Sequence, residues 1–151
     1  MSEPIIVLND VVYRYPTSKD PILRGVNLSL SAGEFVGLVG STGAGKTTLV
    51  QTFNGLIPHY TRGTLEGSIV VHGQPTVQST VVELSRRVGL VFQDADAQLI
   101  MSTVEEECLL GPLSQGYSRQ EARQMAQRVL DLLEIPHLAH RPPQALSGGQ
   151  K

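Results

Sequence analysis

The sequence holds a single cysteine, Cys108, so no disulfide can close within the chain. That scarcity agrees with a reducing compartment. Long apolar runs are also missing. The first of them, Ile5 to Leu8, falls far short of the roughly 20 residues that cross a bilayer. Met1-Ser2-Glu3-Pro4 is acidic and unlike a secretory leader, so a cytoplasmic protein is expected. Neither charge dominates: 12 basic residues face 14 acidic ones, a net of −2, which excludes a global field for nucleic acid or an anionic membrane. Low-complexity tracts are absent, and the 40% hydrophobic share is that of a folded chain. Four histidines, His59, His72, His137 and His140, lack ligand spacing, which argues against a zinc site. At 151 residues, one domain around one core is the expectation.

What the chain does have is glycine in a telling place. The apolar run Phe35-Val36-Gly37-Leu38-Val39 reads as a strand, and Leu49-Val50-Gln51-Thr52-Phe53 as a helix. Between them lies Gly40-Ser41-Thr42-Gly43-Ala44-Gly45-Lys46-Thr47-Thr48, which fits G-x-x-x-x-G-K-[ST]. Glycines at 40, 43 and 45 let the backbone turn through positive φ and bring successive N–H groups onto phosphate oxygens. Those donors open a helix, whose dipole also favours an anion. Lys46 adds a full charge at the β- and γ-phosphates, and the Thr47 hydroxyl suits Mg²⁺. A phosphate loop alone leaves kinases, GTPases and many ATPases open.

The rest of the chain reads as alternating short elements. Ile5–Leu8 and Val11–Tyr15 are two short strands, the second ended by Pro16, and Ile22–Leu30 is a half-buried strand. Asn54-Gly55 stops the loop helix, with Pro58 beyond it. Gly67–Gly73 is a strand, Val81–Arg87 a short helix or turn, and Val88–Phe92 a buried strand. Two capping boxes follow. Thr103 with Glu106 starts a helix that Gly111-Pro112 should stop, and Ser118 with Glu121 starts a longer one. In the latter Ala122, Met125, Ala126, Val129, Leu132 and Leu133 form the expected core stripe, with Arg119, Arg123, Gln127 and Arg128 opposite. Cys108 reads as a small core residue.

The last residues narrow the choice. Leu146-Ser147-Gly148-Gly149-Gln150, roughly a hundred residues after the phosphate loop, resembles the LSGGQ signature of ATP-binding-cassette (ABC) ATPases. Tyr15 stands where that family has an adenine-stacking aromatic, and Gln93, after Val91-Phe92, where it has its Q-loop glutamine. The resemblance implies an α/β fold: a P-loop NTPase core with a parallel sheet, an N-terminal antiparallel β subdomain within 1–92, and a helical subdomain within 93–151. It implies ATP and Mg²⁺ as ligands. Gly40, Ser41, Gly43, Gly45, Lys46, Thr47 and Thr48 would bind phosphates in cis, with Tyr15 on the adenine. Lys46 and Gln93 would be the catalytic residues, and Thr47 and Gln93 the magnesium ligands. Ser147, as a helix N-cap, with Gly148, Gly149 and Gln150, would touch the γ-phosphate held by a second ABC domain.

Further stretches are similar to energy-coupling-factor (ECF) importer ATPases: Gly55–His59, Phe92–Leu99, Thr103–Glu107 and Gly111–Leu113. That subgroup imports vitamins, their precursors, or cobalt and nickel ions. The implied partners are a second ABC ATPase domain and a transmembrane subunit at the cytoplasmic face, with no nucleic acid. Leu99-Ile100-Met101 offers apolar side chains either to that subunit or to the core. The Glu105-Glu106-Glu107 run favours a helix start rather than catalysis. The family's Asp-Glu strand and switch histidine lie past the signature and are not in the sequence. The expectation is therefore a truncated domain with buried faces uncovered and little hydrolysis of its own. A non-hydrolysing nucleotide-binding fragment and another P-loop enzyme are the alternatives.

Overall fold

The computed structural model describes residues 3–94 and 96–150. Ala95, within the Phe92–Leu99 stretch, lies outside the described residues, as do Lys151 and the first two residues of the leader reading. The fold divides into two units, one ending at Leu90 and one beginning at Val91.

The first unit is built on β1 (Pro4–Arg14), a single strand where the sequence predicts two. Asp10 joins them. Its φ of 47° throws the ladder out of step, so the register slips between Leu8 and Val11 on one side and between Asn9 and Val12 on the other. This is a bulge, and its extra amide is not wasted: Asp10 N–H donates to Asn27 Oδ1 at 2.9 Å. β1 lies between β2 (Leu23–Ser31) and β3 (Thr64–Val71), and β4 (Gln74–Pro75) completes an antiparallel sheet of order β2-β1-β3-β4. His72 and Gly73, at φ 47° and 76°, make the tight turn between β3 and β4.

The buried face of β1, Ile6, Leu8, Val11 and Tyr13, meets Leu49 and Phe53 of α1 (Lys46–Phe53). Ile57 of α2 (Leu56–His59) and Leu84 of α3 (Val81–Ser85) close the same core. Each such side chain contributes about 1.5–3 kcal/mol on burial. Helix α3 carries a reciprocal box of Thr80 and Glu83 that fixes the start of what the sequence leaves as helix or turn.

The parallel strands expected at Phe35–Val39 and Val88–Phe92 do not form. Phe35 and Val39 are 103% and 90% exposed, and Val91 is 84% exposed. Both segments have the apolar run of a buried strand, but a strand exists only with a ladder partner, and the described sheet offers them none. The sheet of the described residues is antiparallel throughout.

In the second unit, α4 (Val104–Ser114) runs straight through the Gly111-Pro112 pair predicted to stop it. Proline removes one N–H but does not forbid the two further residues, Leu113 and Ser114. Gly116, at φ 90° just past the end, is the actual stop. Thr103 accepts from Glu106 N–H at 3.2 Å, but the reciprocal leg of that predicted box is absent. Helix α5 (Arg119–Leu132) has the complete box. Its buried stripe is Ala122, Ala126 and Leu130, so Met125, Val129, Leu132 and Leu133 are surface residues, contrary to the spacing-based assignment. The small alanines let α5 approach closely, and the larger side chains beside them are displaced outward.

Among the described residues the buried side chains form three clusters rather than one core. Within the second unit, Cys108 packs against both small clusters, and burial with the nearby Glu107 charge pushes its thiol above the ordinary range. Ser118→Ala should cost α5 about 1 kcal/mol of stability in urea unfolding, the usual worth of an N-cap. It should also loosen Glu121, whose carboxyl the Ser118 hydroxyl and, second, its N–H hold below the normal range. A depressed carboxyl contributes stability above the normal range and loses it as pH falls through the folded value. An NMR titration of Glu121 in the alanine variant should therefore move up toward the ordinary carboxylate range, part of the depression remaining with the residue 118 N–H.

Candidate functional site: a glycine loop at a helix start

The loop from Gly40 leads directly into α1, whose N-cap is Gly45 at φ 90°. Gly43 is likewise left-handed at 82°, and a Cβ there would meet nothing within 4 Å. Gly45 is different: a Cβ would stand 3.1 Å from Ile22 O and 3.2 Å from a Leu23 methyl. Glycine at 45 is thus required both by its φ and by the close approach of β2. No side chain caps α1, so its first-turn N–H groups have open donor capacity.

Lys46 Nζ donates to Gly40 O and Ser41 O, each at 2.8 Å, folding the side chain back across the loop. Among the described residues no carboxylate pairs with it. An uncompensated ammonium beside uncapped helix donors is a fit for a polyphosphate. Thr47 is exposed at the helix start, free to offer its hydroxyl to a hydrated cation, whereas Thr48 is buried. The Tyr15 hydroxyl and Thr48 Oγ1 are 2.8 Å apart, which brings Tyr15 onto the loop helix. A cavity of about 510 Å³ opens beside the loop, lined among others by Ile22, Arg24, Leu38, Gly43, Lys46 and Leu49. Arg24 is the residue that sequence reasoning missed. A lone basic position in an otherwise apolar and polar strand was its only signal.

The other candidates belong to the second unit. Gln93 is exposed at a bend. Ser147, Gly148, Gly149 and Gln150 form one exposed turn, in which Gln150 N–H donates to Ser147 O at 2.9 Å and Ser147 N–H to Gln150 Oε1 at 3.1 Å. Ser147, predicted as a helix N-cap, opens a turn and not a helix within the described residues, and its N–H bond to Gln150 Oε1 does not stand against capping. That bond is one leg of a capping box. Leu99 and Met101 are half-buried while Ile100 is 68% exposed, and Glu107 Oε2 accepts the N–H groups of both Ile100 and Met101 at 3.0 and 2.8 Å. Among the described residues no helix is long and apolar enough to cross a membrane.

Residues 23–151 match the family described as ABC transporter. Over 152 residues the chain is 41% identical to Putative ABC transporter ATP-binding protein TTE1589 of Caldanaerobacter subterraneus, covering 100% of this chain and 27% of that one. It is 42% identical to Putative ABC transporter ATP-binding protein PYRAB03730 of Pyrococcus abyssi, covering 97% and 52%. Among solved structures it superposes on cbiO1 of Clostridium perfringens, described as part of the ABC transporter complex cbiONQ, with a TM-score of 0.83 and 29% identity, covering 99% and 58%. The ATP-binding cassette MJ0796, in a dimeric post-hydrolysis state bound to ADP and Pi, gives a TM-score of 0.75 at 29% identity, covering 96% and 64%. The chain thus spans less than two thirds of each of these relatives. The phosphate loop, the signature turn and the match across most of the sequence lead to one assignment: the chain belongs to the ABC transporter family.

Proposed function

We propose that this chain is the nucleotide-binding part of an ATP-hydrolysing subunit that drives solute import through a membrane partner. The observation that carries the reading is the Lys46 ammonium, without a carboxylate partner, at the uncapped start of α1 in a chain of this family. Gly40, Ser41, Gly43, Gly45, Lys46 and Thr48 hold the phosphates, Thr47 and Gln93 the Mg²⁺, and Tyr15 lies against the adenine. Lys46 draws charge off the γ-phosphate while Gln93 orients the attacking water. Ser147, Gly148, Gly149 and Gln150 reach the triphosphate of a second ATPase domain, with residues 1–92 as the antiparallel β subdomain and P-loop core and 93–151 as the Q-loop, helical subdomain and signature. The dimer described for MJ0796 and the cbiONQ complex described for cbiO1 support a paired domain docked at the cytoplasmic face of a membrane. The likeness to cbiO1 favours an ECF-type importer of vitamins, vitamin precursors or cobalt and nickel ions.

Sedimentation of the full chain with MgATP tests the pairing. Nucleotide should drive association, and Gly148→Asp, which sets a carboxylate against the partner's triphosphate, should weaken it by at least about tenfold. Association that ignores both MgATP and the new charge would defeat the head-to-tail arrangement.

A further inference from the structure

Tyr15 is fixed at both ends. Its ring stands edge-on to Tyr13 at 5.0 Å and 80°, and its hydroxyl meets Thr48 Oγ1 at 2.8 Å. Tyr13 is itself anchored, donating to the carbonyls of Thr61 and Arg62 at 3.2 and 3.1 Å. Thr48 is 6% exposed and sits in the first turn of α1, two residues past Lys46. A threonine hydroxyl buried in a helix has a local alternative, the carbonyl four residues back, here that of Ala44. Back-bonding of that kind bends the helix. In this structure Thr48 Oγ1 shares a hydrogen bond with the Tyr15 hydroxyl, either oxygen being able to donate.

We propose that the Tyr15 hydroxyl is a positioning group for the phosphate cradle: by engaging Thr48 it keeps the first turn of α1 in line, so that its N–H donors converge on a triphosphate. The inference rests on the nucleotide-binding reading above and adds a second role to the residue. The ring serves the base, and the hydroxyl serves the phosphates even when no base is present. Because the bond runs from the end of the first strand to the loop helix, it ties the two halves of the nucleotide site together.

The test separates those roles with two probes, MgATP and magnesium tripolyphosphate, titrated by calorimetry into the full chain. Tyr15→Phe keeps the ring and should weaken both probes by the same factor, about three- to tenfold, the worth of one hydrogen bond. Tyr15→Ala should add a further loss for MgATP alone. In a Thr48→Val background, which keeps the shape and removes the hydroxyl, Tyr15→Phe should change nothing more. Wild-type affinity for tripolyphosphate in Tyr15→Phe would overturn the proposal, as would an undiminished Tyr15→Phe effect in the Thr48→Val background. A wild-type chain that binds neither probe would instead overturn the nucleotide-binding reading beneath it. Near-ultraviolet circular dichroism of each variant guards against simple misfolding.

Discussion

Lys46→Ala should lower MgATP affinity by about 10²–10³-fold, the largest effect expected from one substitution in this chain. A charge-assisted hydrogen bond contributes about 1.5–3 kcal/mol, and in the proposed reading the ammonium makes two, one to the β- and one to the γ-phosphate, less what it gives up in the loop. In the unliganded loop those donors are spent on Gly40 O and Ser41 O at 2.8 Å, neutral acceptors that a phosphate oxygen displaces. The exchange is favourable because the acceptors gained are charged and those given up are not. The side chain is only half-buried and belongs to no core cluster, so its loss should leave the thermal midpoint nearly unchanged. Calorimetry with MgATP reads the binding, and an unchanged dissociation constant would remove Lys46 from the site.

Gly67→Ala should have the largest effect on the fold, about 2–5 kcal/mol in urea unfolding. The position has a φ of +82°, which no L side chain adopts cheaply, and strain of that kind costs about 1–3 kcal/mol. A Cβ would also lie 2.4 Å from Asp10 O and 2.5 Å from Asn9 O, both backbone atoms of the β1 bulge. Neither can swing aside as a side chain tip would, so the strand must move, at an overpacking cost of similar size. Because β1 is the middle of the sheet, the damage spreads to both neighbours. Stability within about 0.5 kcal/mol of wild type would show that the bulge yields more easily than its bonding suggests.

The features legible in the sequence are those whose cause is local. The Ser118 and Glu121 box needs only three residues' spacing, and it forms as read. The glycine loop before α1 is equally local, since its φ values and the open helix start follow from Gly43, Gly45 and the sequence itself. Thr80 and Glu83 have the same spacing and form the same box, a local signal for a helix start where the composition of Val81–Arg87 fits helix or turn alike. Other features depend on partners far along the chain. Asp10 unites two strands because Asn27 and Gly67 accommodate a bulge, which no periodicity reveals. Phe35–Val39 has the composition of a strand, but pairing is a property of neighbours. The core face of α5 was misplaced because spacing cannot tell Ala122 and Ala126 from the bulkier residues beside them. The Tyr15 and Thr48 contact joins residues 33 apart, and only the fold brings them together.

Glu107 holds two successive amides, those of Ile100 and Met101, with one carboxylate oxygen at the start of α4. Two bonds to a single oxygen tether the segment to the first turn of α4. Displacing the outward-facing Ile100 should therefore pull on the first turn of α4, and moving that turn should carry Ile100 with it.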